Sequence, residues 1–158
     1  MNPATDAGKK DLPSGLRSRF TEIYVPSGDS SLEDLTKIIQ SYLGGQLDND
    51  KRASQDLART YLDLKKLNQE HKLTDGAGDV PHFSIRSLVR CLLYVLQHSA
   101  SHGLRRAMFE GFAMSFFTVL SRASETLALP CLEKHFLSNV KNRKSFLSQQ
   151  PKMPFNGE

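Results

Sequence analysis

From Ser30 to Val140 the apolar residues recur at helical spacing and almost never alternate, a regularity that restricts the chain to a mainly α architecture. Leu32, Leu35, Ile38, Ile39, Tyr42 and Leu43 mark a first helix, opened by a Ser30/Glu33 capping box and closed by Gly44-Gly45. Leu57, Tyr61, Leu64 and Leu67 mark a second over residues 51–71, and Thr74 to Pro81, with Gly76 and Gly78, reads as a linker. Ser84 is placed to N-cap a third helix. Its residues Ile85, Leu88, Val89, Leu92, Leu93, Val95 and Leu96 cover so much of the circumference that it is expected at the centre of a bundle. A fourth helix is expected over 103–122, where Phe109, Phe112, Phe116 and Phe117 read as core. A fifth is expected over 130–141, with Pro130 in its first turn.

The ends read differently. Residues 1–19 carry Pro3, Gly8, Pro13 and Gly15 without a period and form a loop. Phe20, Ile23 and Val25, stopped by Pro26-Ser27-Gly28, form one short strand at 20–25. A lone strand needs a sheet, so its partners are expected from another chain or from sequence ahead of Met1. The expected division is therefore 1–28, a bundle over 29–141, and a mobile tail over 142–158.

Composition narrows the function classes. The 158 residues suit one core. Lys and Arg number 21 against 17 Asp and Glu, a net +4 that permits phosphate contact without requiring it. No apolar run reaches the length of a membrane span, since Phe109 to Leu120 contains Glu110, Gly111, Ser115 and Thr118. The N-terminus has no secretory pattern. Cys91 and Cys131 sit in apolar runs and are read as buried thiols of a reducing compartment. There is no GxxxxGK, no GxGxxG and no GxSxG, so this stretch holds neither a triphosphate cradle nor a nucleophile elbow. His98 and His102 stand at i, i+4 but lack a third zinc ligand. Asp29-Ser30-Ser31 misses the alternation of an adhesion-type metal site. His71, His82 and His135 read as surface histidines, and Lys9 and Lys10 as an exposed loop.

The opening of the chain carries a resemblance. Asn-Pro-Ala-Thr-Asp, Gly-Lys-Lys-Asp-Leu-Pro and Leu-Arg-Ser-Arg-Phe-Thr-Glu, followed at 83–90 by Phe-Ser-Ile-Arg-Ser-Leu-Val-Arg, resemble the back half of an AAA+ ATPase module. The likeness is closest to the midasin family of very large, dynein-related ATPases. It implies that 1–28 is the end of an AAA+ core and 29–141 its helical lid. Asn2 matches sensor 1, which would hydrogen-bond the attacking water and the γ-phosphate. Arg19 matches the arginine finger, reaching the nucleotide of the neighbouring module, and Arg86 matches sensor 2. Arg17 projects away from Arg19 if that stretch is extended and is the weaker finger candidate, while Arg90, one turn after Arg86, shares its face and could substitute.

The resemblance further implies ATP and Mg2+ as cofactors of the complete protein. Its implied partners are neighbouring AAA modules of the same chain, pre-60S ribosomal particles and their assembly factors, with no membrane, and its location the nucleolus and nucleoplasm. Walker A and Walker B would precede Met1, so the chain is expected to be a fragment that binds and hydrolyses no ATP alone. The other reading of the same residues is a stand-alone helical module that binds protein or RNA through its basic surface.

Overall fold

The computed structural model describes residues 13–149 apart from 22, 24, 26, 27 and 139, so Asn2, Lys9 and Lys10 lie outside the described residues. Seven α-helices occur among these residues: α1 Ser14–Arg17, α2 Leu32–Leu43, α3 Ala53–Gln69, α4 Ile85–His102, α5 Leu104–Phe116, α6 Arg122–Phe136 and α7 Arg143–Ser148. The expected helical bundle is thus present as α2 to α6. No strand is formed among the described residues: Ile23 and Val25 are 81% and 79% exposed, and the one bridge is an isolated antiparallel pair, Asp75 with Leu120. The β-prone run at 20–25 has no described segment to pair with, and propensity alone does not hold a strand in water.

The first helix begins one residue later than its sequence suggests. Ser31, not Ser30, is the N-cap, its Oγ accepting from the Asp34 N–H at 3.4 Å, and Glu33 pairs forward with Lys37 at 2.7 Å instead of closing a capping box. Ser84 holds the N-cap position of α4, although its hydroxyl makes no capping bond. Gly103, at φ 79°, then reverses the chain directly into α5, a backbone conformation that favours glycine. α4 and α5 pack closely because Gly111 lacks a side chain: a Cβ there would lie 3.0 Å from a Tyr94 ring carbon and 3.2 Å from the Cys91 carbonyl oxygen.

The core lies among α2 to α6. Phe112 and Phe116 stack at 4.5 Å between ring centroids, and Tyr61 and Phe83 meet Phe116 edge-on at 5.9 and 5.4 Å. The phenylalanine stripe of α5 is therefore core, as its spacing indicates. The most enclosed helix is α3, which buries Ala53, Ser54, Leu57, Ala58, Thr60, Tyr61 and Leu64, rather than α4. α4 buries Leu88, Cys91, Leu92, Val95 and Ser99 but leaves Leu93 and Leu96 on an exposed face. Cys91 is fully buried and Cys131 only half-buried, and both are free thiols.

The last two expected helices are differently bounded. α5 stops at Phe116, a 3-10 turn follows over Phe117–Val119, and α6 starts at Arg122 with Ser121 as its N-cap, Oγ accepting from the Ser124 N–H at 3.4 Å. Pro130 is thus inside α6 and not in a first turn. It sits on the exposed side, where water can solvate the carbonyl of Thr126 that a proline cannot serve. The Thr74 N–H donates to Ser124 Oγ at 2.8 Å, and the Thr74 hydroxyl is 3.0 Å from that of Ser121, tying the linker after α3 to the start of α6. In the segment expected to lack regular structure, Asn142 caps α7 through the Ser145 N–H at 3.1 Å, and Phe146 and Leu147 pack against the core. No helix among the described residues is long and apolar enough to cross a membrane.

Candidate functional site

Arg86 lies in the first turn of α4 and Arg90 one turn further on, both exposed and sharing a face as their spacing requires. Neither has a carboxylate within ion-pair distance among the described residues, so both guanidiniums are available to an incoming anion. Arg17 ends α1 and Arg19 follows it; both are exposed, and α1 buries no residue. Residues 14–20 turn helically, with the Arg19 N–H donating to the Leu16 carbonyl at 3.1 Å and the Phe20 N–H to that of Arg17 at 3.2 Å. The extended geometry that set Arg17 and Arg19 on opposite faces is therefore not the one adopted. The structure brings Arg86 together with Arg90, while Arg17 and Arg19 stand on a separate exposed segment; Asn2 lies outside the described residues.

Beside Arg90 a groove of about 440 Å³ runs between the N-terminal half of α4 and the C-terminal end of α5. Phe83, Arg90 and Tyr94 line one wall, and Met114, Ser115 and Val119 the other. Arg90 is in this groove and Arg86 is not, which separates two arginines that the sequence presents as equivalent. The carboxylate of nearby Glu110 is already engaged: it accepts from Arg106 Nε at 2.7 Å and from the Tyr94 hydroxyl at 3.1 Å. Burial, then that carboxylate, pushes the Tyr94 hydroxyl pKa up, so it remains a donor.

The paired histidines belong to this region as structure. His98 stacks on Tyr94 with centroids 4.1 Å apart, and His102 Nε2 is 3.7 Å from Glu110. No three His, Cys, Asp or Glu converge as a metal site would need among the described residues.

Two polar clusters carry no sequence signature. Asp29 is buried ahead of α2, accepting from Lys65 Nζ at 2.7 Å and from the Tyr61 hydroxyl at 3.0 Å, so its role is to pin the entry of α2 onto α3. Burial and the Asp29 charge drive the Tyr61 pKa well up, which keeps the hydroxyl a donor. Arg105 holds Asp50 through two bonds, 2.6 and 3.0 Å, Asp56 at 2.6 Å and the His135 carbonyl at 3.0 Å. It joins the beginnings of α3 and α5 to the end of α6. These partners are 30 to 55 residues apart, beyond the reach of any local pattern.

Comparison with known proteins gives the context of this geometry. Residues 34–139 match a family model described as the midasin AAA lid domain. Over 151 residues, 96% of the chain, the sequence is 38% identical to the midasin of Dictyostelium discoideum, and over 162 aligned residues, 99% of the chain, 32% identical to that of Giardia intestinalis. The chain spans only 2% and 3% of the length of those two relatives, and no solved structure matches it. An α-helical bundle, the matched lid model and the alignment of nearly the whole chain with two midasins agree, and the chain belongs to the midasin family, with its bundle as an AAA lid domain.

Proposed function

We propose that this chain supplies the lid and the adjoining sensor and finger residues of an AAA+ module whose ATP hydrolysis drives the remodelling, maturation and nuclear export of pre-60S ribosomal particles. The observation that carries the reading is Arg86: first turn of a lid helix, exposed, and with no carboxylate to satisfy it among the described residues. A guanidinium in that state can engage a phosphate, whose oxygens it meets in pairs. In this reading Arg86 touches the γ-phosphate of its own module and links hydrolysis to movement of the bundle. Arg19 serves the neighbouring module as arginine finger, with Arg17 beside it, and Asn2 orients the attacking water. ATP and Mg2+ are held by the P-loop and acidic residues of the complete protein, in the nucleus, with the adjoining AAA modules completing each site.

The test is made on the complete module, with this chain joined to its P-loop half. Arg19→Ala is expected to lower kcat by a factor on the order of 10³ or more while ATP affinity stays within a few fold, because a finger acts on charge that develops in the transition state. Arg86→Ala is expected to lower kcat and weaken binding of ATP relative to ADP, since its target is the γ-phosphate. Unchanged turnover in both variants rejects the assignment.

A further inference from the structure

The groove beside Arg90 has a composition that a nucleotide role for Arg86 does not explain. Of its lining residues Met114 and Val119 are 58% and 50% exposed, opposite the nearly buried Phe83. Its charged and titratable lining groups are Arg90, His82 and the Tyr94 phenol, with no carboxylate among them. Glu110, which accepts from Tyr94 of the lining, is already ion-paired with Arg106. Ser87 and Ser115 add hydroxyls whose side chains have no partner among the described residues.

We propose that this groove docks an acidic segment of a partner protein that carries large apolar side chains: its carboxylates meet Arg90 and its apolar groups lie on Met114 and Val119. Three observations select that occupant. Exposed methionine and valine disfavour a nucleic-acid backbone, whose sites are polar and strongly basic. A second copy of this chain, docked by the same surface, would bring no carboxylate to Arg90, because the groove's lining contains none. A free small anion would find one arginine in an open trough, with nothing to bury it. An acidic, apolar segment satisfies both the charge and the uncovered side chains of Met114 and Val119. The inference does not depend on the nucleotide role of Arg86, which is outside the groove.

The experiment uses the full 158-residue chain and a fluorescein-labelled synthetic peptide, Glu-Leu-Glu-Glu-Phe-Leu-Glu-Glu, followed by anisotropy. The same peptide with Lys for every Glu, and with Ser for Leu and Phe, are the comparisons. The Glu peptide is expected to bind with a Kd on the order of 10 to 100 µM, the range of a short segment on a small site. Both comparison peptides and both chain variants, Arg90→Glu and Met114→Asp, are expected to weaken it at least about tenfold. Both substitutions are at exposed positions, and an unchanged melting curve shows that the variants fold. Amide shift changes in labelled protein are expected over residues 82–94 and 114–119. Equal binding of the Lys peptide, indifference to both substitutions, shift changes centred elsewhere, or no binding of the Glu peptide at about 1 mM each overturns the proposal.

Discussion

Arg105→Ala removes the link between three helix ends, and its cost can be worked from the cluster itself. The guanidinium makes four hydrogen bonds, two of them a paired grip on Asp50, and the side chains of Arg105, Asp50 and Asp56 are 24%, 28% and 17% exposed. Breaking a fully buried ion pair costs about 3 to 5 kcal/mol, whereas an exposed one is worth about 1 kcal/mol or less. With a quarter of each group in water, the loss is expected near 2 to 3 kcal/mol, roughly 5 to 10 °C in Tm for a chain of this size. Part of it comes from the His135 carbonyl at the end of α6, which loses its donor and a favourable positive charge.

The pH dependence has a definite sign. The hydrogen bond from Arg105 holds the Asp50 carboxyl below the usual carboxylate range against the opposing effect of burial, with the guanidinium charge and the N–H groups of Arg52 and Ala53 adding to it. A group depressed in the folded state stabilises fully above its unfolded pKa, near 3.9, and loses that contribution as pH falls through the folded value. Urea denaturation of wild type and variant, read by circular dichroism, should therefore show the full difference at about pH 7 and a shrinking one below about pH 4. Combining Arg105→Ala with Asp50→Asn and Asp56→Asn should cost less than the separate losses added together, since the carboxylates left facing each other are then neutral. A loss under about 0.5 kcal/mol, or one equal at neutral and acid pH, refutes the argument.

Gly111→Ala should destabilise by about 1 to 2 kcal/mol in urea titration despite alanine's better helix propensity, because the Cys91 carbonyl in its way is backbone; a more stable variant would show that α4 and α5 can separate freely. Pro130→Ala should stabilise by about 1 to 3 kcal/mol by restoring a donor to the Thr126 carbonyl on the exposed side of α6, and a variant that melts lower would contradict that account. Burial pushes both thiols up, Cys91 far more than Cys131, so a thiol reagent should label Cys131 slowly and Cys91 only in denaturant; mass spectrometry showing Cys91 modified first would contradict the packing.

The helical period alone locates both ends of α2 and α3, and the start of α4, to within about two residues, because each buries one regular stripe. It fails at the α5–α6 boundary, where Phe116, Phe117, Val119 and Leu120 continue the apolar character of α5 through a 3-10 turn that breaks it. Pro130 invites the reading of a helix start because proline suits a first turn, yet Ser121 had already capped α6 nine residues earlier. The all-round apolar character of α4 does not mean burial on every side: Leu93 and Leu96 mark a face left uncovered. Arg86 and Arg90 stand where their spacing puts them, but their inequivalence arises from Met114 and Val119, distant in sequence and in the opposite wall of the groove. Asp29, Lys65 and Tyr61 meet only because α2 packs on α3, so nothing short of the packed structure reveals that carboxylate's role.

The tie among Thr74, Ser121 and Ser124 contains no ionisable group. Acid and salt therefore act unevenly on the bundle: they relax the Arg105 junction while leaving these hydroxyl contacts as they were. A domain fastened by charge at two junctions, Asp29 with Lys65 and Arg105 with Asp50 and Asp56, and by neutral oxygens at a third has a built-in order of disassembly. In acid the meeting point of α3, α5 and α6 at Asp50 should loosen before the Thr74 seam, which parts only when the whole core melts.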